Sequence, residues 1–459
     1  MNRRAFLLTA GAAACSAALP AYGVEKRRPN IVIITTDEQS FDAVSYRIGK
    51  QYLHTPNIDC LAANGVAFNR AYCADPICVA SRTAMFTGRY PTETGVVDNS
   101  DLTRVHLDPR KFPIMGKIFR QGGYNTAYFG KWHIACPKDD VDTHGFTTIA
   151  TTLNDEVAAA SAVNYLHSKP RAPFLMVASL LNPHNICEWA RGEKLPLGPI
   201  GNPSPVDECP PLRANHAPQH NEPDIISLMR RSYHGTWMFP VGNFSEAKWR
   251  EYEWAYYRLA ENADAHVGIV LNALRDAGLE QSTLVVFLSN HGDCQGAHGW
   301  NQKTVFYDEA SRVPFILSHK GVLQPGKSNR LVNTGIDLVP TLCDYAGVAA
   351  PPGLPGISLR RPEPHPRQYV ISVNRLVQGA PIDGEKPTPS GRMLRSQRFK
   401  YCAYDQGKQR ESLVDMEKDP GEMWNLAYEP RYHNVLHQHR AMLRKWCASM
   451  HDDFPVPSS

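Results

Sequence analysis

The segment "NIVIITTD", from Asn30 to Asp37, decides the fold class of this chain. Its unbroken apolar and β-branched run is typical of a strand that is buried on both faces of a parallel sheet. The segment "TLVVFLSN" has the same character and directly follows the longest helical pattern, which Ser245 opens as a cap and Gly278 closes. Other strand candidates, such as "NTAYFG" and "PFLMVASLL", alternate with helical stretches. The sequence therefore predicts an α/β fold in which helices sandwich a large mixed, mostly parallel sheet.

Length and composition are those of an ordinary globular protein. The chain has 459 residues, of which 42% are hydrophobic and 20% charged, and this suffices for a large domain and a smaller one. The formal charge of +4 is small, and no Lys/Arg run alternates with aromatic residues, so nucleic acid is not expected as a partner. We expect the main domain to span residues 28–360. Short strands such as "RFKYCAYD" and a final helix near 432–450 predict a smaller C-terminal α+β subdomain over residues 361–459.

The first 23 residues have the layout of an export signal peptide. A basic start is followed by an apolar stretch and then by small residues before Gly23. The pair Arg3-Arg4 resembles a twin-arginine signal, and a general secretory signal that holds two arginines is the alternative. A lipid anchor at Cys15 fits its neighbours poorly. We therefore expect an exported protein, periplasmic or extracellular, without a membrane span. The other ten cysteines have no paired spacing that would predict a disulfide framework.

Oxygen and imidazole donors follow two of the predicted strands. The first strand leads into Asp37 and Glu38, and the segment "SNHGD" places Asn290 and His291 at the end of another. Side chains of these types hold hard divalent cations together with a substrate oxygen. Either pair alone is more typical of a cap or a turn. Because both pairs end hydrophobic strands, the sequence favours a metal site.

Cationic and imidazole side chains follow strands in the same way. The segment "YFGKWHIA" carries Lys131 and His133, whose side chains point the same way if the strand continues extended. His184 ends the segment "LLNPH", and Lys303 comes shortly after the Asn290 turn. A single residue of this kind is usually on a solvated surface. Several of them after apolar strands predict one basic pocket for an anionic substrate.

The segment "CVASRTAMFTGRYP", residues 78–91, begins with a cysteine four residues before Arg82. Cys78 is either a buried structural residue at the start of a helix or a nucleophile at a helix N-terminus with a cationic partner. The residues of this segment alone leave both interpretations open.

Together these segments resemble the formylglycine-dependent sulfatases of the alkaline-phosphatase-like superfamily. The family signature C-x-P-S-R, followed by four residues and T-G-R, is matched by Cys78, Ser81 and Arg82 and then by residues 87–89. Supporting matches are "GKWH", "NPH", "SNHGD" and "HGWNQKTVFYDEASRVP", and the resemblance runs from about residue 28 to residue 428.

The resemblance implies a chemistry and a role for each matching residue. A formylglycine-generating maturation enzyme would convert Cys78 to formylglycine, whose hydrate would attack the sulfur of a sulfate ester. The substrate expected from the resemblance is a sulfated saccharide. Lys131 and Arg82 would brace the formylglycine, and Lys303 would hold a sulfate oxygen. His184 would protonate the leaving alcohol, and His133 would take the proton from the remaining hydroxyl. One divalent cation, most often Ca²⁺, would be bound by the following residues: Asp37, Glu38, the modified Cys78, Asn290 and His291.

Three positions depart from the family pattern. Ala80 replaces the proline of the signature, a change that some bacterial maturation systems accept. Glu38 replaces a second aspartate, and Asn290 replaces a carboxylate with an amide, which has no negative charge. Two alternatives to a sulfatase therefore stay open. One is a phosphoester or phosphonate hydrolase that uses the same aldehyde, and the other is a catalytically impaired protein that binds sulfated glycans. We expect the region 193–245, which begins with a long Pro-, Gly- and Asn-rich loop, to select the substrate.

Overall fold

The computed structural model describes residues 28–105, 107–361 and 366–458, so the predicted signal peptide lies outside the described residues. The described chain contains the following strands, in sequence order: β1 Asn30–Asp37, β2 Val66–Tyr72, β3 Asn125–Gly130, β4 Thr148–Thr151, β5 Phe174–Pro183, β6 Thr283–Ser289, β7 Phe315–Ser318, β8 Gly326–Asn333, β9 Tyr369–Arg375, β10 Ser390–Ser396, β11 Phe399–Tyr404 and β12 Glu411–Asp415.

The first eight strands form one sheet in the order β4-β3-β5-β1-β6-β7-β2-β8. Only β7 among them is antiparallel to its neighbours, β6 and β2. The predicted mixed, mostly parallel sheet is therefore confirmed. All eight residues of β1 are buried. Ile31 and Ile33 enter the core on one face, while Val32 and Ile34 enter the core on the other, as the alternation of side chains along a strand requires.

Helices cover both faces of this sheet. Those that share a core with Ile31 and Ile33 are α3, α6 and α13, and those that share a core with Val32 and Ile34 are α2, α8 and α11. The long helix α11 begins after Ser245, whose Oγ accepts a hydrogen bond from the Lys248 N–H at 3.2 Å. Ser245 is therefore the N-cap that the sequence predicted. The helices are α1 Ser45–Ile48, α2 Pro56–Ala63, α3 Cys78–Thr87, α4 Pro91–Thr94, α5 Asp101–Arg104, α6 Met115–Gln121, α7 Val141–His144, α8 Asp155–His167, α9 Ile186–Ala190, α10 Asp224–His234, α11 Glu246–Asp276, α12 Asp308–Ser311, α13 Thr334–Ala346 and α14 His433–Met450.

The four central strands, β3, β5, β1 and β6, run parallel and end at the same edge of the sheet. In the register, Asp37 of β1 lies opposite Pro183 of β5, and Gly130 of β3 lies opposite Ser179 of β5. Gly130 has a positive φ of 103°, and a Cβ there would lie 1.9 Å from the Ser179 carbonyl oxygen. The chain therefore turns out of β3 in close contact with β5. Ligands of open α/β sheets bind at this edge.

The last four strands form a separate antiparallel sheet in the order β12-β11-β10-β9. Helix α14 packs on it through Leu436, Leu443 and Trp446. These elements are those predicted for the C-terminal subdomain, while the domain boundary at residues 360 and 361 stays a prediction. None of the described helices has the length and apolar character needed to cross a bilayer. The ten cysteines of the described residues are all free thiols.

A buried ion cluster joins the two sheets. The Lys400 Nζ on β11 lies 2.6 Å from Asp308 Oδ1 on α12 and 2.8 Å from Glu422 Oε1 in the loop after β12. The same ammonium donates a hydrogen bond to the Phe306 carbonyl at 2.9 Å. The Lys400 side chain is 1% exposed, so each of its donors is satisfied by the protein rather than by water. This cluster fixes the second sheet to the segment that follows Lys303.

Candidate active site

Asp37, at the end of β1, is the centre of the site. Its Oδ2 lies 2.9 Å from a guanidinium nitrogen of Arg82 on α3 and 2.7 Å from the Lys131 Nζ, and the carboxylate is fully buried. Burial raises the pKa of Asp37, but Lys131 and Arg82 overcome this effect and hold it well below its usual value. Arg82 also donates to Ser179 Oγ on β5 at 2.9 Å. The Asp37 Oδ1 is left to face the thiol of Cys78.

Cys78 is the first residue of α3, a helix in which all ten residues are buried. Its Sγ lies 3.1 Å from His291 Nε2 and 3.7 Å from Asp37 Oδ1. The next residue, Val79, donates its N–H to Asn99 Oδ1 at 3.1 Å. Burial and Asp37 raise the pKa of the Cys78 thiol, yet Lys303, Lys131 and His291 bring it well below the ordinary value. The site therefore stabilises negative charge at this side chain.

Glu38, the residue after Asp37, contacts both Lys303 and His184. Its Oε2 lies 2.5 Å from the Lys303 Nζ and 3.6 Å from His184 Nε2. The backbone of Glu38 has a left-handed φ of 68°, and Tyr256 on α11 holds it by donating its hydroxyl to the Glu38 carbonyl at 2.7 Å. The second oxygen, Oε1, is buried and has no hydrogen-bond partner among the described residues. Burial raises the pKa of Glu38 well above its usual value, against the effect of Lys303.

The side-chain amide of Asn290 is not oriented as the predicted metal ligand would be. Its Oδ1 accepts the backbone N–H of Glu38 at 3.1 Å and that of His291 at 2.9 Å. Its Nδ2 is buried without an acceptor in the described part of the chain. In this conformation the oxygen assigned to the cation is already used, and the remaining amide atom is a donor. That Asn290 binds the ion stays a prediction, and it requires the amide to rotate.

The two other predicted histidines differ in position. Ligand atoms of His184, Asp37 and Cys78 all lie within 4.8 Å of one another, so His184 belongs to the cluster. Burial, Lys131 and Lys303 lower the pKa of His184 to about 4. His133 is half-buried and has a left-handed φ of 48°, so the chain does not continue extended past Lys131. Its Nδ1 has no partner within the described residues, and its predicted role stays untested.

The donors fit a divalent cation in part. Asp37 Oδ1 is a buried carboxylate oxygen that faces the Cys78 thiol at 3.7 Å and His291 Nε2 at 3.8 Å. Glu38 Oε1 is buried and has no hydrogen-bond partner among the described residues. The His291 Nδ1 lies 3.0 Å from the Gly292 carbonyl and donates to it in the neutral ring, which leaves Nε2 with a free lone pair. Of the four predicted ligands other than the modified Cys78, three therefore present suitable atoms, and Asn290 is the exception.

Three residues with a clear part in this geometry escaped the sequence analysis. Asn99 caps the helix of Cys78, Tyr256 holds Glu38, and Ser179 accepts from Arg82 and donates to the Lys131 carbonyl at 2.8 Å. Ser179 could have been found, since it is a lone hydroxyl in the otherwise apolar run "FLMVASLL". Asn99 and Tyr256 reach the site only through tertiary packing.

Comparisons with known proteins identify the family. A profile of the sulfatase family matches residues 29–348, and a profile of the C-terminal region of N-sulphoglucosamine sulphohydrolase matches residues 296–448. A Delta 4,5-hexuronate-2-O-sulfatase of Bacteroides thetaiotaomicron is 33% identical over 97% of this chain and 93% of its own. An ulvan-active sulfatase of Formosa agariphila is 29% identical over 94% of this chain and 83% of its own.

A solved structure leads to the same family. The protein of that structure is described as a 2-O GAG sulfatase, and it superposes with a TM-score of 0.82 at 30% identity over 94% of both chains. The family profile covers more than half of the chain, and the resemblance drawn from the sequence is confirmed. The chain belongs to the sulfatase family, within the alkaline-phosphatase-like superfamily, and is a sulfatase.

Proposed function

We propose that Cys78 is converted to formylglycine and that the mature protein hydrolyses sulfate esters of saccharides. The observation that carries this proposal is the position of the Cys78 side chain. It stands at the N-terminus of a buried helix, 3.1 Å from His291 and 3.7 Å from Asp37. A helix N-terminus and nearby cations stabilise an oxyanion. The oxygens of a hydrated aldehyde would lie where the sulfur now lies.

The charge balance of the pocket suits a sulfate group. Three buried cations, Arg82, Lys131 and Lys303, face two carboxylates, Asp37 and Glu38, so the set carries a formal charge of about +1 before any ion is bound. Lys303 would hold a sulfate oxygen, while Arg82 and Lys131 would brace residue 78 through Asp37. This excess of positive charge supports an anionic substrate.

A divalent cation would add to that charge and polarise a substrate oxygen. Asp37, Glu38, His291 and the modified residue 78 would hold it, with Asn290 joining after rotation of its amide. Because most of these donors are oxygens, Ca²⁺ is the ion we propose.

Proton transfer is assigned to the two histidines. His184 lies within the cluster of Cys78 and Asp37 and would donate a proton to the leaving alcohol oxygen. His133 would accept the proton of the remaining hydroxyl at residue 78, so that sulfate leaves and the aldehyde returns.

The named relatives support a class of substrate. The Bacteroides relative is named for a 2-O-sulfated unsaturated hexuronate and the Formosa relative for ulvan. We infer that this chain acts on a sulfated, uronate-containing glycan. Residues 1–23 would direct export to the periplasm or the cell exterior, where such glycans are met.

Production with and without a formylglycine-generating enzyme tests the proposal. Peptide mass spectrometry should show an aldehyde in place of the thiol at Cys78, and ion chromatography should show sulfate released from a 2-O-sulfated unsaturated disaccharide. Cys78→Ala should abolish release, whereas Cys73→Ala, a change at another buried cysteine, should preserve the aldehyde. Full activity with an intact Cys78 thiol would overturn the mechanism. Faster hydrolysis of a phosphonate monoester than of any sulfate ester would favour the alternative enzyme.

A further inference from the structure

We propose that Trp237 forms one wall of a saccharide subsite next to the sulfate pocket, so that the substrate is recognised as an oligosaccharide and not only by its sulfated residue. This inference rests on the proposed function. Trp237 is 75% exposed, which is unusual for the largest aromatic side chain. It lines a cavity of about 480 Å³, a size within the range of small-molecule sites.

Three separate parts of the chain build this cavity, which we call the Trp237 cavity. They are residues 98–100, 235–238 and 377–380, together with Lys386. The third part packs on α10, the helix that leads directly into the second part. Ala380 donates its N–H to the Ser232 carbonyl at 2.9 Å, and a Cβ on Gly379 would lie 1.9 Å from Ser232 Oγ. The walls are therefore fixed by tertiary contacts.

The Trp237 cavity adjoins the active site on the side of Cys78. Asn99, which lines the cavity, accepts the N–H of Val79, the residue after Cys78, at 3.1 Å. A single side chain thus caps the helix of the nucleophile and forms part of the cavity wall. A sugar ring in this cavity would lie beside a sulfate ester held at residue 78.

Trp237 and the helix before it contact the segments that carry His184 and Lys303. The guanidinium of Arg191, the residue after α9, lies 5.9 Å from the centroid of the Trp237 ring, and α9 begins two residues after His184. On the other side, Tyr233 contacts Trp300, three residues before Lys303, with ring centroids 5.4 Å apart. Trp237 therefore contacts the residue that follows α9, and the helix that leads to its loop contacts the segment that precedes the predicted sulfate ligand.

The loop that carries Trp237 is held at its base. Tyr233 and Phe239 stack with centroids 4.6 Å apart and an interplanar angle of 17°, and both rings are buried. The ring of Trp237 is thus presented to solvent by an anchored loop. The face of an indole carries negative partial charge, and the axial C–H bonds of a pyranose carry positive partial charge, so the two surfaces stack.

Unpaired cations beside the cavity suit acidic sugars. Lys386 lines the Trp237 cavity, and Arg231 lines an adjoining cavity of about 490 Å³ that shares Gly235 and Thr236 with it. Both side chains are exposed, and no salt bridge involves either of them within residues 28–105, 107–361 and 366–458. Carboxylate or sulfate groups of neighbouring sugars would meet these charges, while the carboxylate of Asp98 in the cavity wall is buried and accepts the Ser100 N–H at 2.7 Å.

Substrates of increasing length test the inference. The probes are nitrophenyl sulfate, which has no sugar, and a heparin-derived disaccharide and tetrasaccharide that share a 2-O-sulfated unsaturated uronate. Trp237→Ala should lower kcat/KM about tenfold on the longer saccharide, equivalent to about 1.4 kcal/mol, and less than about twofold on nitrophenyl sulfate. Trp237→Phe should retain most of the activity. Trp424→Ala, at another exposed tryptophan (58%) that does not line the cavity, is the matched control.

Binding gives a readout that needs no turnover. In a Cys78→Ala background, calorimetry with the tetrasaccharide should show an approximately tenfold weaker Kd for Trp237→Ala. Lys386→Gln should weaken binding more at low salt than at high salt, because salt screens exposed charges.

The outcomes separate this inference from the proposed function. Equal losses on nitrophenyl sulfate and on the tetrasaccharide, or no loss on either, would overturn the subsite. Turnover of nitrophenyl sulfate without binding of either saccharide would also refute it and would leave the sulfatase chemistry intact. Binding that depends on Trp237 in a wild-type protein inactive on all three probes would support the subsite and reject the proposed catalysis.

Discussion

Replacement of Asn290 by aspartate should tighten the binding of Ca²⁺. The Asn290 Oδ1 accepts two backbone N–H groups, and its Nδ2 is a buried donor with no acceptor among the described residues. An aspartate is nearly isosteric. One of its oxygens would keep both backbone hydrogen bonds, and the other would replace the orphaned N–H₂ with a negatively charged ligand.

The size of the effect follows from two opposing terms. A carboxylate and a divalent cation about 4 Å apart attract by about 8 kcal/mol at an effective dielectric constant of about 20. Most of this gain is offset, because a new carboxylate must be buried beside Asp37 and Glu38. A net gain of about 1.4 to 2.8 kcal/mol would lower the Kd for Ca²⁺ by roughly 10- to 100-fold.

Titration calorimetry of the matured wild-type and Asn290→Asp proteins measures this directly. Thermal unfolding at a fixed Ca²⁺ concentration is an independent check, since a tenfold lower Kd adds about 1.4 kcal/mol to the stability of the saturated protein. Asn182→Asp is the matched control, because Asn182 is a buried amide on β5 whose side-chain atoms also lack described partners. An unchanged Kd in Asn290→Asp, or an equal gain in the control, would refute the assignment of Asn290 to the cation site.

Two further predictions concern the pocket and the sheet junction. Each of three substitutions should lower kcat/KM by roughly 100-fold or more: Lys131→Ala, Lys303→Ala and His184→Ala. The His184 change should affect alkyl sulfates more than nitrophenyl sulfate. Equal losses on both ester types would count against His184 as the general acid. Lys400→Met should lower the free energy of unfolding in urea by about 3 to 5 kcal/mol, because it leaves two buried carboxylates without their cation. The control Arg398→Met removes a half-exposed ion pair and should lower it by less than about 1 kcal/mol. A loss that small for Lys400→Met would show that the cluster does not hold the junction of the two sheets.

The strand ends could be predicted from sequence because one physical rule governs them. An apolar run such as residues 30–37 fixes the strand, and a parallel sheet brings the carboxyl ends of its strands to one edge. Asp37, Lys131 and His184 meet for this reason. This meeting of residues does not depend on the strand order, since every central strand carries its polar residue at the same end.

The conformations within the site could not be predicted in the same way. The amide of Asn290 is oriented by the backbone N–H of Glu38. Glu38 has a left-handed φ of 68°, which no pattern in the sequence predicts. His133 likewise turns away from an extended path with a φ of 48°. The Trp237 cavity joins three segments that are far apart in the chain, and no periodicity links residues of irregular loops.

In each of the two carboxylates of the site, one oxygen contacts cationic side chains and the other is left for a metal ion. This division of the oxygens explains why an amide at position 290 weakens the site. Asp37 gives Oδ2 to Arg82 and Lys131, and Oδ1 faces residue 78. Glu38 Oε2 contacts Lys303, and Glu38 Oε1 has no partner among the described residues. A carboxylate can serve a cationic side chain and a metal ion at once because both of its oxygens accept. An amide cannot, since its second atom is a donor. Asn290 already uses its one acceptor for the backbone, so any Ca²⁺ bound here depends chiefly on the two divided carboxylates and His291.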